Sequence, residues 1–115
     1  EALSALTLLE ALNLGNNQLT HIPSSTFPEL RNLVILLVKK NRISEIDDDA
    51  FANLTSLRVL ELDDNHLTNI PHALTRLTAL QELSVSGNRI KYIPAGVLQH
   101  SRGLALLELW VNPNQ

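Results

Sequence analysis

Four histidines, two acidic runs and a scatter of serines are the side chains in this 115-residue chain that first invite a chemical reading. His21, His66, His72 and His100 form no i, i+4 helical pair with a carboxylate partner, the arrangement a helix-borne zinc site needs. They read as solvated residues on the flank and back of a repeat, and no metal site is expected. Asp47, Asp48 and Asp49 form one acidic run and Asp63 and Asp64 another. Neither has the alternation and glycine of a calcium loop, so the triple is read as capping a turn of its own segment. No Gly-x-Ser-x-Gly elbow is present, no repeat position gathers Ser, His and carboxylate in one column, and four scattered glycines make no phosphate loop. The absence of cysteine removes disulfides, thiolate ligands and thiol nucleophiles together. A non-enzyme without cofactor is therefore expected.

The elements that carry these residues repeat. An L-x-x-L-x-L-x-x pattern leads into asparagine five times, at Asn17, Asn41, Asn65, Asn88 and Asn112. The spacings are 24, 24, 23 and 24 residues, and such a period is the mark of a solenoid. After the first four asparagines an aliphatic follows at the second position (Leu19, Ile43, Leu67, Ile90) and an isoleucine at the fifth (Ile22, Ile46, Ile70, Ile93). Pro23, Pro71 and Pro94 follow three of those isoleucines and hold the chain extended on a non-helical back wall, whereas Asp47 stands there in the second unit.

Each apolar-x-apolar pair, such as Leu12 and Leu14 around Asn13, has the period of a strand. One short strand cannot bury its face alone. Successive coils must therefore stack into a parallel sheet with rungs about 4.8 Å apart, leaving irregular returns outside. The fold class expected is an α/β-type repeat solenoid, a right-handed coil with its sheet on the concave face. The chain reads as one domain, residues 1–115, of about five rungs. Leu3 and Leu6 fit the tail of a preceding unit, and Pro113 and Asn114 interrupt the fifth, so a fragment without terminal caps is expected. The asparagine amide offers two donors and an acceptor to the backbone groups left where the chain quits the sheet, giving Asn17, Asn41, Asn65, Asn88 and Asn112 a structural role.

The segments LEALNLGNNQLTHIPSSTF and LVILLVKKNRISEIDDDAF resemble the typical 24-residue subfamily of leucine-rich repeats, and the resemblance covers essentially the whole chain. That subfamily includes Toll-like receptor ectodomains, small leucine-rich proteoglycans and the variable lymphocyte receptors of jawless fish. The resemblance implies an extracellular or cell-surface setting and binding of a macromolecule on the curved solenoid. Phe27 and Phe51 occupy the subfamily's back-wall phenylalanine position. Leu98 replaces it in the fourth coil, and the third, IPHALTRL, is one residue shorter and lacks it, as in intracellular repeats.

Function should then reside on the outward-facing strand positions. These form three columns: Ala11, Ile35, Val59, Glu82 and Leu106; Asn13, Leu37, Glu61, Ser84 and Glu108; and Gly15, Lys39, Asp63, Ser86 and Trp110. Ile35, Leu37 and Val59 group into an apolar patch of the kind that marks a contact surface. The expected ligand-binding set is Ile35, Leu37, Lys39, Val59, Glu61, Asp63, Ser84, Glu108 and Trp110. Trp110 serves either as an anchor for the partner or as packing for a terminal cap. Lys39 is expected to pair with Asp63 and Lys40 with Asp64, while Gln18, Arg42, His66 and Arg89 form a mildly basic flank.

A net charge of -3, from 9 basic and 12 acidic residues, argues against nucleic acid. No apolar run approaches the roughly 18 residues of a membrane span, and no basic stretch leads into an apolar signal core. Asn53-Leu54-Thr55 is an N-glycosylation sequon. The expectation is a recognition module that binds a protein ligand through the concave face. The alternatives are a matrix scaffold acting by self-association as a homo-oligomer and an intracellular adaptor arm.

Overall fold

The computed structural model describes residues 8–27, 29–94, 96–99, 101 and 103–108. In chain order the strands are β1 (Ala11–Asn13), β2 (His21–Ile22), β3 (Ile35–Leu37), β4 (Glu45–Ile46), β5 (Val59–Glu61), β6 (Glu82–Ser84) and β7 (Leu106–Glu108). β1, β3, β5, β6 and β7 form one five-stranded sheet in that order, every pair parallel. The register follows the repeat: Leu12, Leu36, Leu60, Leu83 and Leu107 stand opposite one another in turn. Backbone bonds extend the ladder past the strands, with Leu14 N–H donating to Leu37 O at 2.7 Å and Val38 N–H to Glu61 O at 2.8 Å.

Stacking the leucines of successive coils produces a single dry column. Leu36, Val38, Leu60, Leu62, Leu83 and Val85 are fully buried, each inward aliphatic contributing about 1.5 to 3 kcal/mol over an exposed one. Leu12 and Leu14 are only half-buried, and Leu107 is 37% exposed. The column is therefore tightest through the second, third and fourth coils.

The asparagines stitch each corner to the coil before it. Asn65 Oδ1 accepts from Ile43 N–H at 3.1 Å, and its Nδ2 donates to Val38 O and Leu62 O at 3.1 and 3.0 Å. Asn41 and Asn88 repeat the motif. Asn17 is exposed and, among the described residues, bonds within its own coil, to Leu14 O and Gly15 O. Asn112 lies outside the described residues.

Immediately before these asparagines the backbone turns left-handed, at Asn16 (φ 60°), Lys40 (59°), Asp64 (57°) and Gly87 (72°). This costs an L side chain of order 1 kcal/mol and recurs because the chain leaves the sheet by the same sharp corner on each of these four rungs. At Gly87 the corner is also crowded, since a Cβ there would fall on the Asp64 carboxylate.

The returns are more ordered than the expected irregular wall. β2 and β4 form a second, two-stranded parallel ladder, with Ile22 and Ile46 buried and His21 and Glu45 exposed between the coils. Behind it Phe27 and Phe51 stack with ring centroids 6.2 Å apart. In the shorter third coil a 3-10 helix, His72–Arg76, draws the chain in by one residue. It places fully buried Ala73 and Leu74 where the second coil has Ala50 and Phe51, so the missing phenylalanine is replaced by a leucine one step earlier. In the fourth coil buried Ser101 takes a site that Leu30, Leu54 and Leu77 fill elsewhere, and its hydroxyl donates to Leu77 O at 2.8 Å.

The acidic triple does not cap its own turn. Asp47 reaches back to the first coil, accepting from Ser24 N–H at 3.0 Å and contacting His21 Nε2 at 2.7 Å. Asp49 reaches forward to Arg76 at 2.5 Å, and Asp48 lies 4.0 Å from His72. Parallel stacking makes residues about 24 positions apart into neighbours, so these carboxylates find partners on adjacent coils before any on their own. No helix among the described residues is long and apolar enough to cross a membrane.

Candidate binding face

The outward face of the five-stranded sheet is assembled by the register alone. Ile35 sits between Ala11 and Val59, and Leu37 between Asn13 and Glu61. Ile35, Leu37 and Val59 are half-buried, each shielded on its flanks by neighbouring rungs yet open above. They make a continuous apolar strip across β3 and β5. Glu61, half-buried, and Lys39, exposed, border it.

Two of the expected contact residues are committed to the fold. Asp63 Oδ1 accepts from the Ser84 hydroxyl at 2.5 Å and from Ser86 N–H at 2.8 Å. Ser84 is consequently only 9% exposed and not the free outward group expected. The same bonds explain why the Lys39–Asp63 pair does not form. Two short, fixed donors on the next rung outcompete a long solvated ammonium, whose exposed pairing yields little. Asp64 likewise leans over Gly87 on the next rung, and among the described residues neither Lys39 nor Lys40 makes an ion pair. The backbone of Glu108 lies opposite Ser84 in β7, and Trp110 falls outside the described residues. On the flank Gln18, Arg42, His66 and Arg89 are all exposed.

A third group was hidden from sequence spacing. His21, Ser24 and Asp47 do meet, across β2 and β4 and their ends, although they occupy three different columns of the repeat. Their order is wrong for nucleophilic catalysis: the carboxylate lies between serine and imidazole, so His21 has no contact with the Ser24 hydroxyl. The hydrogen bond to Asp47 raises the His21 pKa above its ordinary 6.5, and the reciprocal bond, with Ser24 N–H, holds Asp47 below 3.8. The signal that could have found this group is the offset of one repeat, 21 to 45, rather than a helical offset.

Stacked parallel rungs, a stitched asparagine corner and an aliphatic column define a leucine-rich-repeat solenoid. The comparisons agree: the leucine-rich-repeat family models match residues 31–90 and 8–30, and the chain belongs to that family. Podocan of Mus musculus is 37% identical over 93% of the chain, and lumican of Bos taurus 37% identical over 81%. The chain spans 18% and 27% of the lengths of those two relatives. The solved Toll–Spatzle complex of Drosophila superposes with a TM-score of 0.86 at 25% identity, covering 96% of this chain and 15% of that one. These relatives belong to the extracellular branch of the family, as the resemblance implied, and they are not enzymes. The chain is a leucine-rich-repeat module of the kind those relatives carry.

Proposed function

We propose that the chain binds a protein ligand through its concave sheet face, at the strip formed by Ile35, Leu37 and Val59 and its border of Lys39, Glu61 and Asp63, in a secreted or cell-surface protein. The observation carrying this reading is the strip itself: three aliphatics in register on a face where the rest of their two columns, Leu106 apart, is polar or small. An apolar centre with a charged rim is the anatomy of a protein contact. Similarity to Toll, solved in complex with Spatzle, supports a protein as the ligand class. Glu108 and Trp110 continue the same columns in the sequence and are proposed as part of the same binding set.

Photocrosslinking in the medium of secreting cells tests it. A photoreactive residue in place of Leu37 is expected to give a discrete adduct with another protein, lost on Val59→Glu, while one in place of Arg89 gives none. Adducts formed from position 89 and indifferent to Val59→Glu would move the site to the basic flank. Adducts joining two copies of the chain would favour a self-associating scaffold instead.

The sequon belongs to the same reading. Asn53 sits in the turn after Phe51, on the return, and Thr55 is exposed. A glycan there leaves the sheet face clear. Secretory expression should yield a band that N-glycosidase sharpens and Asn53→Gln abolishes. A wild-type chain that the enzyme does not shift would count against the secretory assignment.

A further inference from the structure

On the side of the molecule opposite the sheet face, β2 and β4 place His21 beside Glu45, and Asp47 follows directly after β4. One ligand atom from each of these three side chains lies within 4.8 Å of the others. We infer that His21, Glu45 and Asp47 form a binding site for a divalent transition-metal ion, zinc in the first instance, that clips the first coil to the second.

The geometry is nearly that of a ligand set. A zinc ion holds nitrogen and oxygen donors about 2.0 to 2.2 Å away, so two donors on one ion are separated by at most about 4.4 Å. His21 Nε2 and Asp47 Oδ1 already satisfy this at 2.7 Å. Glu45 is exposed, bears no hydrogen bond or ion pair among the described residues, and has the length to close the remaining few tenths of an ångström. Asp47 is oriented before any ion arrives, because Oδ2 is held by Ser24 N–H and the Ser24 hydroxyl while Oδ1 faces the imidazole. Supporting bonds of this kind are how a ligating carboxylate is aimed.

The donor set also selects the ion. One imidazole and two carboxylates suit zinc or copper, whereas calcium takes six to eight oxygens that this site does not offer. Coordination uses the Nε2 lone pair, so the hydrogen shared with Asp47 leaves Nε2 and the neutral ring carries its hydrogen on Nδ1. The remaining coordination positions face solvent and are filled by water.

The position adds a second tie. Asn41 already joins the first two coils at the sheet corner, accepting from Leu19 N–H at 3.1 Å and donating to Leu14 O at 3.0 Å. An ion held from both coils would fasten them at the return as well.

Zinc chloride titrated calorimetrically into the untagged chain tests the assignment, with imidazole nitrogen resonances read in parallel. One equivalent is expected to bind, the His21 ring to shift, and the melting temperature to rise. Glu45→Gln, which leaves the His21–Asp47 contact intact, should weaken binding about tenfold or more, and His21→Gln should abolish it. His72→Gln should change nothing, and calcium chloride should give no heat. No zinc uptake at millimolar concentration, or equal uptake by His21→Gln, would overturn the site. Both readouts are independent of any partner at the sheet face.

Discussion

Replacing Asn65 by alanine is expected to cost the fold about 1 to 3 kcal/mol, whereas the same change at Asn17 costs under about 1 kcal/mol. Asn65 is 4% exposed and serves backbone groups on two coils. Its removal orphans Ile43 N–H, at about 1 to 3 kcal/mol for a buried group, while Val38 O keeps its bond from Asn41 Nδ2 and Leu62 O its bond from Asn88 Nδ2. Asn17 occupies the same repeat position but is exposed and, among the described residues, tied to its own coil, so water takes over its partners. Urea denaturation of both variants reads the difference as a shift of midpoint. Equal losses would mean that the inter-coil bonds are not what the asparagine contributes.

The second large effect belongs to the back wall. Phe51 is fully buried and stacked on Phe27, and truncating it to alanine should destabilise by about 3 to 5 kcal/mol, as expected for a buried phenylalanine whose cavity cannot fully collapse. Phe51→Leu should recover the larger part of that loss, because Leu74 fills the equivalent place in the next coil without exposure. Thermal melts of the two variants suffice. A Phe51→Ala variant within about 0.5 kcal/mol of the parent, the scale of an ordinary surface change, would show that the phenylalanine pair is ornamental to the fold.

The period of the asparagines foretold the sheet well. Its strands, their parallel pairing and their register follow from which leucines must be covered, and the apolar strip on β3 and β5 is a direct reading of that register. Less visible was what polar side chains do once the coils are stacked. Asp63 had a lysine beside it and two serines ahead of it, and geometry chose the serines. Asp47, Asp48 and Asp49 looked like a local turn and instead engage both adjoining coils. The left-handed corner went unread because asparagine, lysine, aspartate and glycine all occupy it, and a single glycine among four gives no compositional signal. In each case the period names the neighbours, while competition among donors decides which contact forms.

The one-residue shortening of the third coil has a last consequence. The deficit is absorbed within the 3-10 turn at His72–Arg76, and β5 and β6 still pair Val59 with Glu82 and Leu60 with Leu83. Length and recognition are thus mechanically decoupled: one wall can gain or shed residues while the opposite wall keeps its spacing. Such a molecule can diversify its contact columns and its outer contour as separate variables, neither disturbing the other.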